Sequence, residues 1–536
     1  MDLVLTGGNV LTIDNQNRRA EAVAVEKGRI AEVGASAEIA KLVGPDTKVV
    51  HLAGRALIPG FIDPHNHFSM TTFEPISVDC RVPPHNSISG ILEAISVAAK
   101  DMPRGRWIWG WGFDMRLVKE DRRITRWELD EAAPGNPVCI MDLSYHACYV
   151  NSAALKLAGI DRNTPDPPCG WILRDDKGEP DGTLWENALN SVHSPSLRAH
   201  LDQYGDDVAD LVHHNCMRHL ACGITSVGDA LVMPETAEMY RLTDEHKKLP
   251  ILIHQMLGGD QFFLPPHRVS RGETGDGNVS DRLRGGTMKI FMDPEYPSPA
   301  MICYHSDGRE ERYGERYYTQ EEVDALVLAA HKRGLQVAIH CLGPWGVELA
   351  LNAFENAQKQ HPLPEPRFRI EHFWLPTLSQ IKRAKSLGII ASVQPPFIFN
   401  YADIEEERAK EMGGDTRVEP FKSMLSEGLV VAASSDCPCS PLEPLLGLYA
   451  MVTRRKRSDG LQAAPEEAVT PMEGLRMYTV NAAYAMLRDG EVGSLEKGKR
   501  ADMIVLSHDP TAVDPEFIRD IAVEQSYVDG QLLYQR

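Results

Sequence analysis

Two histidines one residue apart, His65 and His67, close the run Pro59-Gly60-Phe61-Ile62-Asp63-Pro64-His65-Asn66-His67. In an extended strand the i and i+2 side chains share a face, so both imidazoles point the same way, as metal ligands do. Further along, single ionisable residues interrupt apolar runs. Lys289 lies within Met288-Lys289-Ile290-Phe291-Met292, His340 ends Val337-Ala338-Ile339-His340, Glu371-His372 follows Phe368-Arg369-Ile370, and Asp436 follows Val430 to Ser435. A buried lysine, histidine or aspartate is costly without a partner, so a converging set of them needs a shared counter-charge. One or two divalent cations supply it, zinc first and manganese or cobalt as its neighbours, because imidazole and carboxylate are ordinary ligands for these ions. Lysine is the odd member, since an ammonium repels a cation. Reaction of its amine with CO2 gives a carbamate, an anionic ligand able to bridge two metals.

The elements that must carry these residues recur as helix, glycine, strand. Cys222-Gly223-Ile224, Arg333-Gly334-Leu335, Leu387-Gly388-Ile389 and Glu427-Gly428-Leu429 each read as a helix end turning into a β-branched strand. Thr319 with Glu322, and Thr377 with Gln380, read as capping boxes at helix starts. Short apolar strands between helices predict parallel α/β architecture. The candidate strands lie at 57–62, 224–227, 251–255, 288–292, 337–340, 368–372, 389–393 and 429–434. Eight such strands predict a (β/α)8 TIM barrel over 56–490, with its chemistry at the C-terminal strand ends. The long gap after the first strand predicts an insertion over the barrel mouth at about 71–201. Residues 1–55 and 491–536 are short alternating strands with Gly turns, predicting one small β-sandwich built from both termini.

The chain of 536 residues carries 43% hydrophobic and 25% charged residues, as a soluble globular protein does. Its net charge of −20 excludes binding to phosphate backbones or anionic lipid, so neither nucleic acid nor membrane is an expected partner. No basic stretch leads into an apolar signal segment, and the ten cysteines form no CxxC pair, which together predict a cytoplasmic protein.

These motifs, with Trp107-Ile108-Trp109-Gly110-Trp111, Ser144-Tyr145-His146 and the closing Gly493 to Leu506, resemble the metal-dependent amidohydrolase superfamily, closest to its N-substituted formamide deformylase-like (YtcJ-like) branch. The resemblance runs nearly end to end. It implies His65, His67 and Asp436 as ligands of one metal, His340 and His372 as ligands of a second, and Lys289 as the bridge. It also implies hydrolysis of a C–N bond in an amide, formamide or carbamate, with Asp436 as general base and then acid, and assembly as a homodimer.

Several other residues enter as expectations. His146 is read as entering the mouth to hydrogen-bond the substrate oxygen, or else as a structural histidine. Trp107, Trp109, Trp111 and Phe113 alternate, which puts them on one strand face, either as core or as an aromatic wall over the metals; Trp374 adds to such a wall. That wall and the shortage of basic residues beside the ligands predict a neutral small-molecule substrate with an aromatic or bulky N-substituent. Cys437 and Cys439 read as structural. A single-metal deaminase of a nitrogen heterocycle would use similar ligands, but its usual Glu lies shortly before the second-site His, whereas Glu371 and His372 are adjacent. A non-catalytic scaffold would have lost ligands, and every position here is filled.

Overall fold

The computed structural model describes residues 1–259, 263 and 279–536. Eight parallel strands form the central sheet: Phe61–Asn66, Ile224–Val232, Leu252–Leu257, Leu283–Phe291, Gln336–Cys341, Arg369–His372, Ile390–Val393 and Val430–Ala433. Each pairs with its neighbours in chain order. The Asp436 amide donates to the His65 carbonyl at 2.9 Å, drawing the first and last strands together into a nearly closed barrel. Its strands are buried on both faces, which explains their unbroken apolar runs. Register sets the functional residues level: His340 lies opposite Glu371, and Cys341 opposite His372.

The four glycines read as helix ends all take positive φ, between 66° and 83°, where a Cβ would be strained. Both capping boxes form, Thr319 with Glu322 and Thr377 with Gln380.

The start of the barrel differs from the sequence expectation. Residues 57–62 are not one strand. Ala56–Pro59 belongs to the terminal sheet, where it pairs antiparallel with Met503–Leu506, and the barrel begins at Phe61. Gly60 is the switch: its N–H donates to the Asp502 carbonyl, and a Cβ there would stand 2.2 Å from Thr225 Oγ1. Strands from both ends of the chain join in that eight-stranded terminal sheet and enclose a shared core that includes Leu5, Val23, Leu57, Met503 and Val505.

Between the first two barrel strands, residues 78–186 build a separate six-stranded sheet over a core that includes Ile91, Ile108, Phe113 and Tyr149. Among the described residues, no helix is long and apolar enough to cross a membrane.

Candidate metal centre and substrate cavity

Strand ends bring the predicted ligands to one place. Among the described residues, His65, His67 and Asp436 form the group whose ligand atoms all lie within 4.8 Å of one another. Asp436 Oδ1 stands 3.3 Å from His65 Nε2 and 3.2 Å from His67 Nε2. The His372 ring lies 4.9 Å from that of His65, and His340 4.5 Å from His372. Lys289 is buried on the adjoining strand, its Nζ 4.7 Å above the Phe291 ring.

The polarity of this cluster is unfinished. His65 Nε2, His340 Nε2, Lys289 Nζ and Asp436 Oδ1 are all buried with no hydrogen-bond partner. Each such atom costs about 1 to 3 kcal/mol if left bare. Donor atoms 3.2–3.3 Å apart that form no hydrogen bond match the edge of a tetrahedron about 2.0 Å around a zinc-sized ion. The donor set therefore fits a divalent cation.

Neighbouring groups aim the ligands. His65 Nδ1 donates to Glu371 at 2.5 Å, which leaves the Nε2 lone pair for the centre; His372 Nδ1 does the same with Gln394 Oε1 at 2.8 Å. Burial drives the His340 imidazole well below its ordinary range and that of His372 to about 3, so both stay neutral, as ligation requires. Burial also lowers the Lys289 ammonium to about 8, against the pull of Glu371 and Asp436. Burial pushes the Asp436 carboxyl up, but the adjoining His65 and His67 outweigh it and hold the group well below the usual range. Asp436 and His372 sit at φ +57° and +66°, conformations that non-glycine residues adopt only where the surroundings enforce them.

His67, His340, His372 and Asp436 from this cluster line a cavity. His146 lines it. Its Nδ1 is 2.8 Å from Glu186, and although burial disfavours the imidazolium, Glu186 raises its pKa to about 9. Glu186 is itself fixed by the Tyr317 hydroxyl and by the amides of Glu295 and Tyr296. Trp374 also lines this cavity.

The tryptophan segment does not. Trp109 and Trp111 border a neighbouring cavity of about 420 Å³ with Met70, Phe73 and Met141, and Trp107 packs half-buried against the main core. Phe113 is not on their face at all. A bulge at Gly112 shifts the register, so Phe113 turns into the insertion's core, edge-on to Tyr149 at 4.8 Å. Tyr145 borders both cavities. Cys439 lines the metal-side cavity with a thiol that burial pushes well above its ordinary range, which leaves it a neutral wall residue.

Sequence reasoning also missed the cavity's charged groups. Arg116, from the insertion, and Arg408 both line it, as does Glu295, so basic residues are present where few were expected. They arrive from outside the strand ends. Arg408 lies on the helix Pro396–Met412, whose residues Phe397, Tyr401, Ile404 and Arg408 all face the cavity. That i, i+4, i+7, i+11 spacing was available as a helical stripe. Glu186 carries no comparable local signal, because its role comes from the approach of distant segments.

The amidohydrolase family model matches residues 48–534. The chain belongs to the amidohydrolase family. It is 39% identical to an N-substituted formamide deformylase from Arthrobacter pascens, over all of this chain and 98% of that protein. It is 28% identical, over the full length of both, to a putative amidohydrolase YtcJ from Bacillus subtilis. A metal-dependent hydrolase from Pyrococcus horikoshii shares the fold, with a TM-score of 0.74 at 24% identity, covering 96% of this chain and 99% of that one. This amidohydrolase carries a charged, aromatic cavity at the mouth of its barrel.

Proposed function

We propose that this amidohydrolase cleaves the C–N bond of an N-substituted formamide, or of a related amide or carbamate, with water. The observation that carries the reading is the convergence of bare, buried donor atoms at one end of an aromatic cavity. The relative named for N-substituted formamide deformylation supports it. His65, His67 and Asp436 would hold one divalent ion, most simply zinc, and His340 and His372 a second, with Lys289 between them as a carbamate. Such an ion, when bound, acidifies water and polarises a carbonyl oxygen.

The chain's own residues do the rest. Asp436, ionised at neutral pH, takes the proton of the attacking water and returns it to the leaving nitrogen. His146, held as an imidazolium by Glu186, presents Nε2 to the cavity and donates a hydrogen bond to the carbonyl oxygen as it gains negative charge. Phe291, Phe397, Tyr401 and Trp374 enclose the N-substituent, exclude water and favour aromatic or bulky groups. For a formamide the products are formate and the free amine.

The test is release of formate from N-formylbenzylamine by metal-replete protein, with N-acetyl and carbamate analogues alongside. Absence of turnover on all three, in protein with verified metal content, would overturn the reading. A mass increment of one CO2 on the Lys289 peptide under native conditions tests the bridge.

A further inference from the structure

The cavity has a second polar end that the chemistry at the metal centre does not use. Along the helix Pro396–Met412, Phe397 lies against the ligand His372, with ring centroids 6.2 Å apart and planes 8° from parallel. Tyr401 and Ile404 continue the same face, and Arg408 ends it. At 1.5 Å per residue, the backbone from Phe397 to Arg408 rises about 16 Å. One wall of the cavity therefore runs along this helix from Phe397, beside His372, past Tyr401 and Ile404 to the Arg408 guanidinium.

That guanidinium closes no ion pair, although Glu295 and Glu405 attract it through space. It stacks over the Trp374 ring at 4.9 Å, and among the described residues it makes no ion pair or hydrogen bond. Arg116, which also lines the cavity, is committed to Asp114 at 2.7 Å. Glu295 lines the same space without closing an ion pair on Arg408. A planar fork of donors, fixed by an aromatic face and turned into a substrate cavity, matches a carboxylate.

Resting on the hydrolase reading above, we propose that the substrates this enzyme prefers carry a carboxylate beyond the apolar part of the N-substituent, and that Arg408 binds it. The substituent is then an aromatic or aliphatic spacer with an anionic end, rather than a wholly neutral group.

The test compares 4-(formamidomethyl)benzoate with its methyl ester, and with the analogue bearing an aminomethyl group in place of the carboxylate. The acid should exceed the ester by roughly 10- to 100-fold in kcat/KM, mostly through KM, the range of one charge-assisted pair. Arg408→Met should erase that ratio, and Arg408→Lys should keep part of it. Binding of 4-methylbenzoate, followed by calorimetry in wild type and both variants, reads the anion site without any turnover. If formamide, N-acetyl and carbamate substrates all go uncleaved by metal-replete protein yet 4-methylbenzoate binds through Arg408, the hydrolase reading fails and the anion site stands. Equal efficiency on acid and ester, with no Arg408-dependent binding of 4-methylbenzoate, would overturn the proposal. So would preference for the aminomethyl analogue, which would assign Glu295 instead.

Discussion

Two levels of the same barrel treat buried charge in opposite ways. At the waist, Arg369 is wholly buried and its donors reach Glu371, Ser392 Oγ and the Pro64 and Ala485 carbonyls. One step further along the strands, at the mouth, His65 Nε2, Lys289 Nζ, His340 Nε2 and Asp436 Oδ1 have no partner. Burial is the same at both levels, so burial does not distinguish them; the convergence of several bare donor atoms does. Glu371 joins the levels, taking Arg369 on one side and His65 on the other.

This contrast breaks most sharply at the mouth. Dialysis against a strong chelator should abolish turnover, and added zinc, manganese or cobalt should restore it; full activity in verified metal-free protein would make the mouth another structural layer. Asp436→Asn should lower kcat by at least about 10²-fold, the worth of a positioned general base.

Waist residues should fail the other way. Arg369→Met should cost about 3 to 5 kcal/mol in urea denaturation, since it strands the Glu371 carboxylate in the interior. Glu371→Gln touches both levels, so metal affinity should fall about 10- to 100-fold as His65 loses its orienting acceptor. If only stability changed, the levels would be independent.

Smaller effects are expected beyond the barrel axis. Burial lowers the pKa of His146 and Glu186 raises it to about 9, so Glu186→Gln should bring it down. The imidazolium is then lost sooner as pH rises, and the alkaline limb of kcat should move to lower pH. Trp109→Phe should be smallest in activity, costing about 1 to 3 kcal/mol of stability. A large loss of kcat/KM there would return the tryptophan segment to the substrate cavity.

The same contrast explains what the sequence could disclose. Every strand that carries a proposed ligand was legible, because a lone His, Lys or Asp in an apolar run violates local expectation. Helix ends were legible through their glycines. The start of the first barrel strand was not, since Leu57 to Ile62 reads as one apolar run while the chain changes sheets at Gly60. Phe113 was misplaced because simple alternation takes no account of the bulge at Gly112. Arg408 was available as part of a helical stripe, whereas Glu186 reaches His146 from the insertion sheet through tertiary folding alone.

The sheet change at Gly60 also bears on how the molecule is made. The strand bearing His65 is continuous through one residue with Ala56–Pro59, and that segment is seated by Met503–Leu506. On the ribosome, the first ligand-bearing strand emerges early, yet its neighbour in the terminal sheet is synthesised only after the whole barrel has been translated. A growing chain therefore leaves one edge of Ala56–Pro59 open, beside the strand that carries His65, until Met503–Leu506 has been made.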